Sequence, residues 1–208
     1  MKFYHSALVP ALLMKIILLA SGLAGTGGAW AADGIPKPFE ANYSLRVMGT
    51  KFALMKRSFS RLPDGAYIYL SETNTTGLAS LLYKDKVIER STWLFENGQI
   101  KPVEYSYDRS GGKKKRNVTI EFNWNSGMIS TSVNGDAWHM PVRDNILDKL
   151  VYQLAIMHDL VNGRKNIDYT IADGGKVKIY HFDLLGEEDL RTPLGEFKTL
   201  KLENWWAC

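Results

Sequence analysis

Cysteine is almost missing from this sequence. The single copy is residue 208, the last, so no internal disulfide can staple the fold. Histidine is nearly as scarce. Beyond the first 31 residues only His139, His158 and His181 remain, no two at zinc-ligand spacing, and no CxxC or HExxH occurs. These gaps exclude the common metal-site signatures, and no metal or other cofactor is expected. No serine sits in a G-x-S-x-G elbow. The glycine pairs fall in turns, not between a strand and a helix, so no phosphate cradle is indicated. Low-complexity tracts, linkers and internal repeats are absent as well.

What is present begins with a leader. Residues 1–31 hold Lys2 and Lys15, no acid, an apolar run from Ile16 to Leu23, and Ala29-Trp30-Ala31 ahead of Ala32. That is the order of charge, apolar core and A-x-A site of a secretory signal. Cleavage is expected between Ala31 and Ala32, and Lys15 within the apolar part points to Met14 as the true start. The apolar run is too short for a comfortable membrane span, and no cysteine lies near Ala29 to accept a lipid. A periplasmic protein, peripheral to the membrane at most, is therefore expected. Removing Lys2 and Lys15 lowers the bases from 26 to 24 against 22 acids, so the net charge falls from +4 to +2. The basic balance gives no reason to expect a nucleic-acid partner.

The remainder, 32–208, is long enough to bury one core without staples and is read as a single domain. Turn signals recur at short intervals: Pro63-Asp64-Gly65, Asn97-Gly98, Gly111-Gly112, Ser126-Gly127, Asn134-Gly135, Gly174-Gly175 and Gly186. Between them run β-branched and aromatic residues at period two, the pattern of an antiparallel meander. Strands are expected at 39–47, 51–62, 66–74, 85–96, 99–108, 118–124, 128–133, 167–171, 176–184 and 196–204, with a short helical turn at Leu78–Tyr83. One segment, 144–162, has helical period instead. Leu147, Leu150, Val151, Leu154, Met157, His158 and Val161 form its apolar stripe. Asp144 or Asn145 is placed to cap its start and Asn162-Gly163 to end it. About ten strands are too many for one flat layer. The chain is thus expected to be mainly β (β-rich α+β), a curved sheet or incomplete barrel covered by that helix. A two-layer sandwich with the helix at one end is the alternative.

Four features are weighed for function. Tyr67, Tyr69, Trp93, Phe122 and Trp124 could face an apolar ligand inside the curve or simply form core. Lys113, Lys114, Lys115 and Arg116 read as a solvated hairpin tip, or as a contact for anionic lipid. Glu187, Glu188 and Asp189 follow Gly186 and read as a solvated loop. His158 beside Asp159 reads as a rim histidine, because adjacent helical residues point apart.

Four stretches together look familiar: TWLFENGQIKPVEYSY (92–107), FNWNSGMI (122–129), ILDKLVYQLAIMHDL (146–160) and TPLGEFKTLKLE (192–203). In combination they resemble the bacterial envelope family known as domain of unknown function 3108. The resemblance implies an exported, β-rich protein with no assigned activity, and it carries no catalytic residue. Members of that family continue past the segment matching 192–203, so a truncated end with an exposed edge at 196–204 is expected here. The resulting expectation is an exported periplasmic protein holding an apolar ligand or envelope lipid in a curved sheet. An interaction or assembly module contacting another envelope protein is the alternative, and a hydrolase without a recognised motif the third.

Overall fold

A computed structural model describes residues 34–77, 80, 84–112 and 115–207. The leader with Ala31 and Ala32, most of the Leu78–Tyr83 turn, and Lys113 and Lys114 lie outside the described residues. Eight strands follow one another in sequence order as one antiparallel sheet. They are β1 (Phe39–Val47), β2 (Thr50–Arg61), β3 (Tyr67–Thr75), β4 (Lys86–Glu96), β5 (Gln99–Ser110), β6 (Arg116–Asn123), β7 (Met128–Val133) and β8 (Asp136–Pro141). The sheet is open, since β1 and β8 are its two edges. Register shifts at Leu45/Arg46 and Thr92/Trp93 mark bulges, which bend and twist strands. The architecture is mainly β with one helix among the described residues, as the pattern predicts.

A second sheet of four strands has the order β12-β11-β10-β9. It comprises β9 (Ile146–Asp148), β10 (Asn166–Ala172), β11 (Val177–Thr192) and β12 (Gly195–Ala207). Between β9 and β10 lies the helix α1 (Tyr152–Val161). β9 and β10 run parallel, with Ile146 to Asp148 paired against Thr170 to Ala172, so β9-α1-β10 is a crossover unit.

One register row runs through all eight strands of the large sheet: Phe39, Phe59, Tyr69, Ser91, Tyr105, Ile120, Thr131 and Trp138. Six of the eight are aromatic or aliphatic. Burying a ring removes roughly 200 Å² from water, worth about 5 kcal/mol at about 25 cal/mol per Å². Trp93, in the neighbouring row, is fully buried and stacks on Tyr67 at 4.5 Å and on Phe59 at 5.9 Å between ring centroids. Helix α1 lies between the sheets. Tyr152 meets Tyr180 and Phe182 of β11, and His158 meets the Phe95 ring of β4 edge-on.

Four expectations need correction. The described residues form twelve strands in two sheets, where ten spans were expected, because β8 and β9 lack the period-two signal. The helix starts at Tyr152, not Asp144: Asp144 and Asn145 form a turn, with Asn145 at φ 53°, and Ile146–Asp148 satisfies its backbone on β10 instead. Asp148 then caps the following turn, its Oδ1 accepting the N–H of Leu150 and of Val151 at 2.8 Å each. At the other end the expected stop holds. Gly163 has φ 82°, and N–H groups of Gly163 and Arg164 close onto the carbonyls of Leu160 and Asp159, a Schellman ending. The stripe is buried at Leu147, Leu150, Val151 and Leu154, but Val161 is 49% exposed. Tyr152, Ala155, Ile156 and Leu160 are buried in addition, because α1 has a sheet on each side.

The acidic run is the fourth. Glu187, Glu188 and Asp189 lie within β11, paired with Leu200, Thr199 and Lys198 of β12. A register shift between Leu184 and Gly186 leaves Leu185 as the extra residue of a bulge, so the strand continues where a loop was expected.

Candidate functional site

A polar cleft of ≈ 120 Å³ lies where the β4–β5 turn, α1 and the start of β10 meet. Each element delivers its groups for a local reason. Asn97-Gly98 turns the chain with φ 52° and 75° and brings Gln99 to the rim. The Schellman ending of α1 brings Arg164 and Asn166 to the cleft. Period-two alternation in β10 sends Ile167 and Tyr169 inward and Asp168 outward.

Asp159 organises the floor. Its Oδ2 accepts the Tyr169 hydroxyl at 2.6 Å and an Arg164 N–H at 3.4 Å, while Oδ1 lies 3.4 Å from His158 Nδ1. The expectation that His158 and Asp159 point apart does not hold at this distance. His158 Nε2 is also engaged, 3.2 Å from Asn162 Nδ2. The same Asn162 amide donates to the His158 carbonyl at 2.9 Å. Both ring nitrogens are thus occupied, and the pair orients the helix end instead of presenting a base. Burial, then the bond to Asp159, pushes the Tyr169 hydroxyl well above its ordinary pKa. What the cleft offers to solvent is the exposed Arg164 guanidinium, the exposed Asp168 carboxylate and neutral amides. Those groups can bind a small polar solute and have no activated nucleophile among them.

A second polar set, buried at Ser91 and Asp148 and partly buried elsewhere, lies between the sheets. Ser91 donates to Asp148 Oδ2 at 2.6 Å, and Tyr105 donates to Glu89 at 2.7 Å. Arg57 on β2 reaches Gln153 of α1 and, at 3.1 Å, the Tyr69 hydroxyl. Burial raises the Asp148 carboxyl to about 6, against the lowering effect of Ser91 and two backbone N–H groups. These bonds pin α1 and β9 to the large sheet.

The aromatics singled out from sequence sit elsewhere. Tyr67, Tyr69 and Trp93 come together in the ring column with Phe59. Phe122 and Trp124 form a separate stack at 6.5 Å, with Trp124 Nε1 donating to the Pro102 carbonyl at 2.6 Å. None of the five lines the cleft. Lys115 and Arg116 are exposed at the start of β6. His181 Nδ1 lies 2.6 Å from Asp168 Oδ1, its cross-strand partner. His139 pairs with Ser130 at 3.2 Å on the exposed β7–β8 surface. Among the described residues no three His, Cys, Asp or Glu side chains cluster as a metal site. Sequence reasoning passed over Gln99, Arg164, Asn166 and Asp168. They come from separate stretches, and only the return of α1 onto β10 unites them.

A family model described as "Protein of unknown function (DUF3108)" matches residues 39–204. No curated protein sequence matches the chain. Among solved structures, the fold is similar to the crystal structure of a β-barrel-like protein of domain of unknown function DUF1849 from Brucella abortus. The identity is 8%, the TM-score 0.50, and the match covers 82% of this chain and 79% of that one. At that identity the likeness is one of fold.

Proposed function

We propose, for a chain that belongs to the DUF3108 family, an exported protein of the bacterial envelope that works by binding at its surface. The observation that carries this reading is the filled interior. Trp93, Phe59 and Tyr105 are each at most 2% exposed, and α1 lies across the curve of the sheet. The space in which a curved sheet would hold an apolar ligand is taken by the protein's own rings. The leader at 1–31 supports delivery to the periplasm. His158, Arg164 and Tyr169 of the cleft all engage Asp159, which supports a binding role over a catalytic one.

Fractionation of expressing cells, N-terminal sequencing and native mass spectrometry test this together. The expected result is a periplasmic chain beginning at Ala32 with the mass of the polypeptide alone. Recovery of the uncut chain from the cytoplasm sinks the export reading. A stoichiometric lipid in the native mass restores the carrier reading in place of this one.

A second reading rests on the cleft, whose exposed Arg164 and Asp168 offer charges of both signs to a small zwitterion or polyol. Thermal-shift screening of such solutes, repeated with Arg164→Ala, tests it; no shift with any solute removes it.

A further inference from the structure

Three two-residue turns of the large sheet have both central residues at positive φ. Asn97-Gly98 (52°, 75°) and Asn134-Gly135 (54°, 97°) use asparagine, which tolerates the left-handed region. The third, between β1 and β2, is Met48-Gly49 (48°, 79°). Methionine has no local hydrogen bond to offset that conformation, and Met48 is 99% exposed. Folding therefore gives no reason for methionine here, and water gives a reason against it. Leu45, Phe52 and Leu54, also exposed, flank the tip. Arg46 donates across the turn to the Gly49 carbonyl at 3.0 Å.

Topology surrounds this tip with positive charge. In a meander of sequence order β1 to β8, alternate connections lie at the same end. The β1–β2, β3–β4, β5–β6 and β7–β8 connections therefore share one end of the sheet. Arg46, Lys51, Lys84, Lys86, Lys115 and Arg116 are exposed there. Among the described acids near those connections, Asp85 is ion-paired to Arg109, Asp108 is 3.5 Å from the Asn117 amide, and Asp136 is exposed at the start of β8.

We infer that this end of the sheet docks on an anionic bilayer, with Met48 among the acyl chains and the surrounding cations on lipid phosphates. An apolar tip led by Met48 and ringed by cations matches the layered chemistry of a membrane interface. A protein partner is met across a broad face instead. The inference deepens the surface-binding reading and rests on it for where the cell supplies the bilayer.

The test is co-sedimentation of the full chain, purified from expressing bacteria, with two vesicle compositions: phosphatidylcholine alone, and phosphatidylcholine with phosphatidylglycerol. Wild type is expected to bind the anionic vesicles, and less well at high salt. Met48→Asn suits the turn better, so its melting temperature should hold or rise while vesicle affinity drops about tenfold, the order for one apolar side chain. Lys51→Glu with Lys115→Glu should remove the preference for anionic lipid. Unchanged binding by Met48→Asn overturns the inference, as does equal binding to both compositions. So does a wild-type dimer that Met48→Asn dissociates, which makes the tip a contact between copies. Failure of export shows in cell fractionation and leaves the vesicle result untouched, so the two readings fail separately.

Discussion

Ser91 on the large sheet donates its hydroxyl to Asp148 on the small one at 2.6 Å, and both groups are buried. Ser91 is one of the two small residues, with Thr131, in a row otherwise made of rings and aliphatics, and that gap admits β9. The second Asp148 oxygen caps the turn leading to α1. One carboxylate thus fixes where the helix begins and how the two sheets meet.

Asp148 gives the protein a definite pH response. Its folded pKa, about 6, lies above the ordinary value of 3.8, so the native state holds the proton more tightly than the unfolded chain. The group's contribution to stability is greatest below the unfolded value, declines as pH rises through the window from 3.8 to about 6, and is constant above. The total change is of the order of 3 kcal/mol. Asp148→Asn can keep the cap and the Ser91 contact while carrying no charge. Urea unfolding of both proteins should show the stability difference between wild type and variant shifting against wild type across that window. Parallel pH curves would remove Asp148 from the account.

Trp93→Ala opens a hole in the ring column. With no solvent exposure at Trp93 and stacking on both Tyr67 and Phe59, the expected loss is about 3–5 kcal/mol. A loss below about 1 kcal/mol in denaturant unfolding would mean that the column is not the core.

Much of this fold was legible from period alone. β1 and β7 begin and end where the alternation of Phe39–Val47 and Met128–Val133 places them, because each has one more sheltered and one wetter face. β8 was not legible: from Asp136 to Pro141 nearly every side chain is exposed, so no alternation betrays it. β9 was hidden differently. Ile146 and Leu147 continue the 3.6-residue pattern of α1, and only pairing with β10, a tertiary event, makes them a strand. The cleft was illegible for the same kind of reason, since Asp159 and Tyr169 belong to different elements and meet through the helix ending. Met48-Gly49 escaped notice as a turn because it lacks the asparagine that marks its two counterparts.

Gly111→Ala tests the end of the sheet that carries the cations. Gly111 has φ 80°, and an added Cβ there would run into the backbone carbonyl of Lys84. Both the conformation and the contact oppose a side chain, and backbone cannot swing aside as a lysine tip can. Destabilisation above about 2 kcal/mol is expected, more than the roughly 1 kcal/mol of a left-handed alanine alone. Gly98→Ala is the control, having positive φ and nothing near its Cβ. Equal losses at the two positions would show that the Lys84 contact does not constrain the fold.

Four buried tyrosines set the alkaline limit. Tyr69, Tyr105, Tyr152 and Tyr169 all have pKa values raised above 10, first through burial. For an acid whose folded pKa is raised, stability is lost as pH climbs past the unfolded value, because only the unfolded chain can release the proton. Unfolding should therefore set in above about pH 10, with these hydroxyls ionising together in the same cooperative step. Near-ultraviolet absorbance follows the ionisation and circular dichroism the fold; two separated transitions would contradict the prediction. Tyr169→Phe isolates one member. It removes one ionisable hydroxyl from the step and also takes the 2.6 Å donor from Asp159, so at neutral pH it should cost about 1–3 kcal/mol. A variant as stable as wild type at neutral pH would show that Arg164 and His158 alone suffice to hold the Asp159 carboxylate.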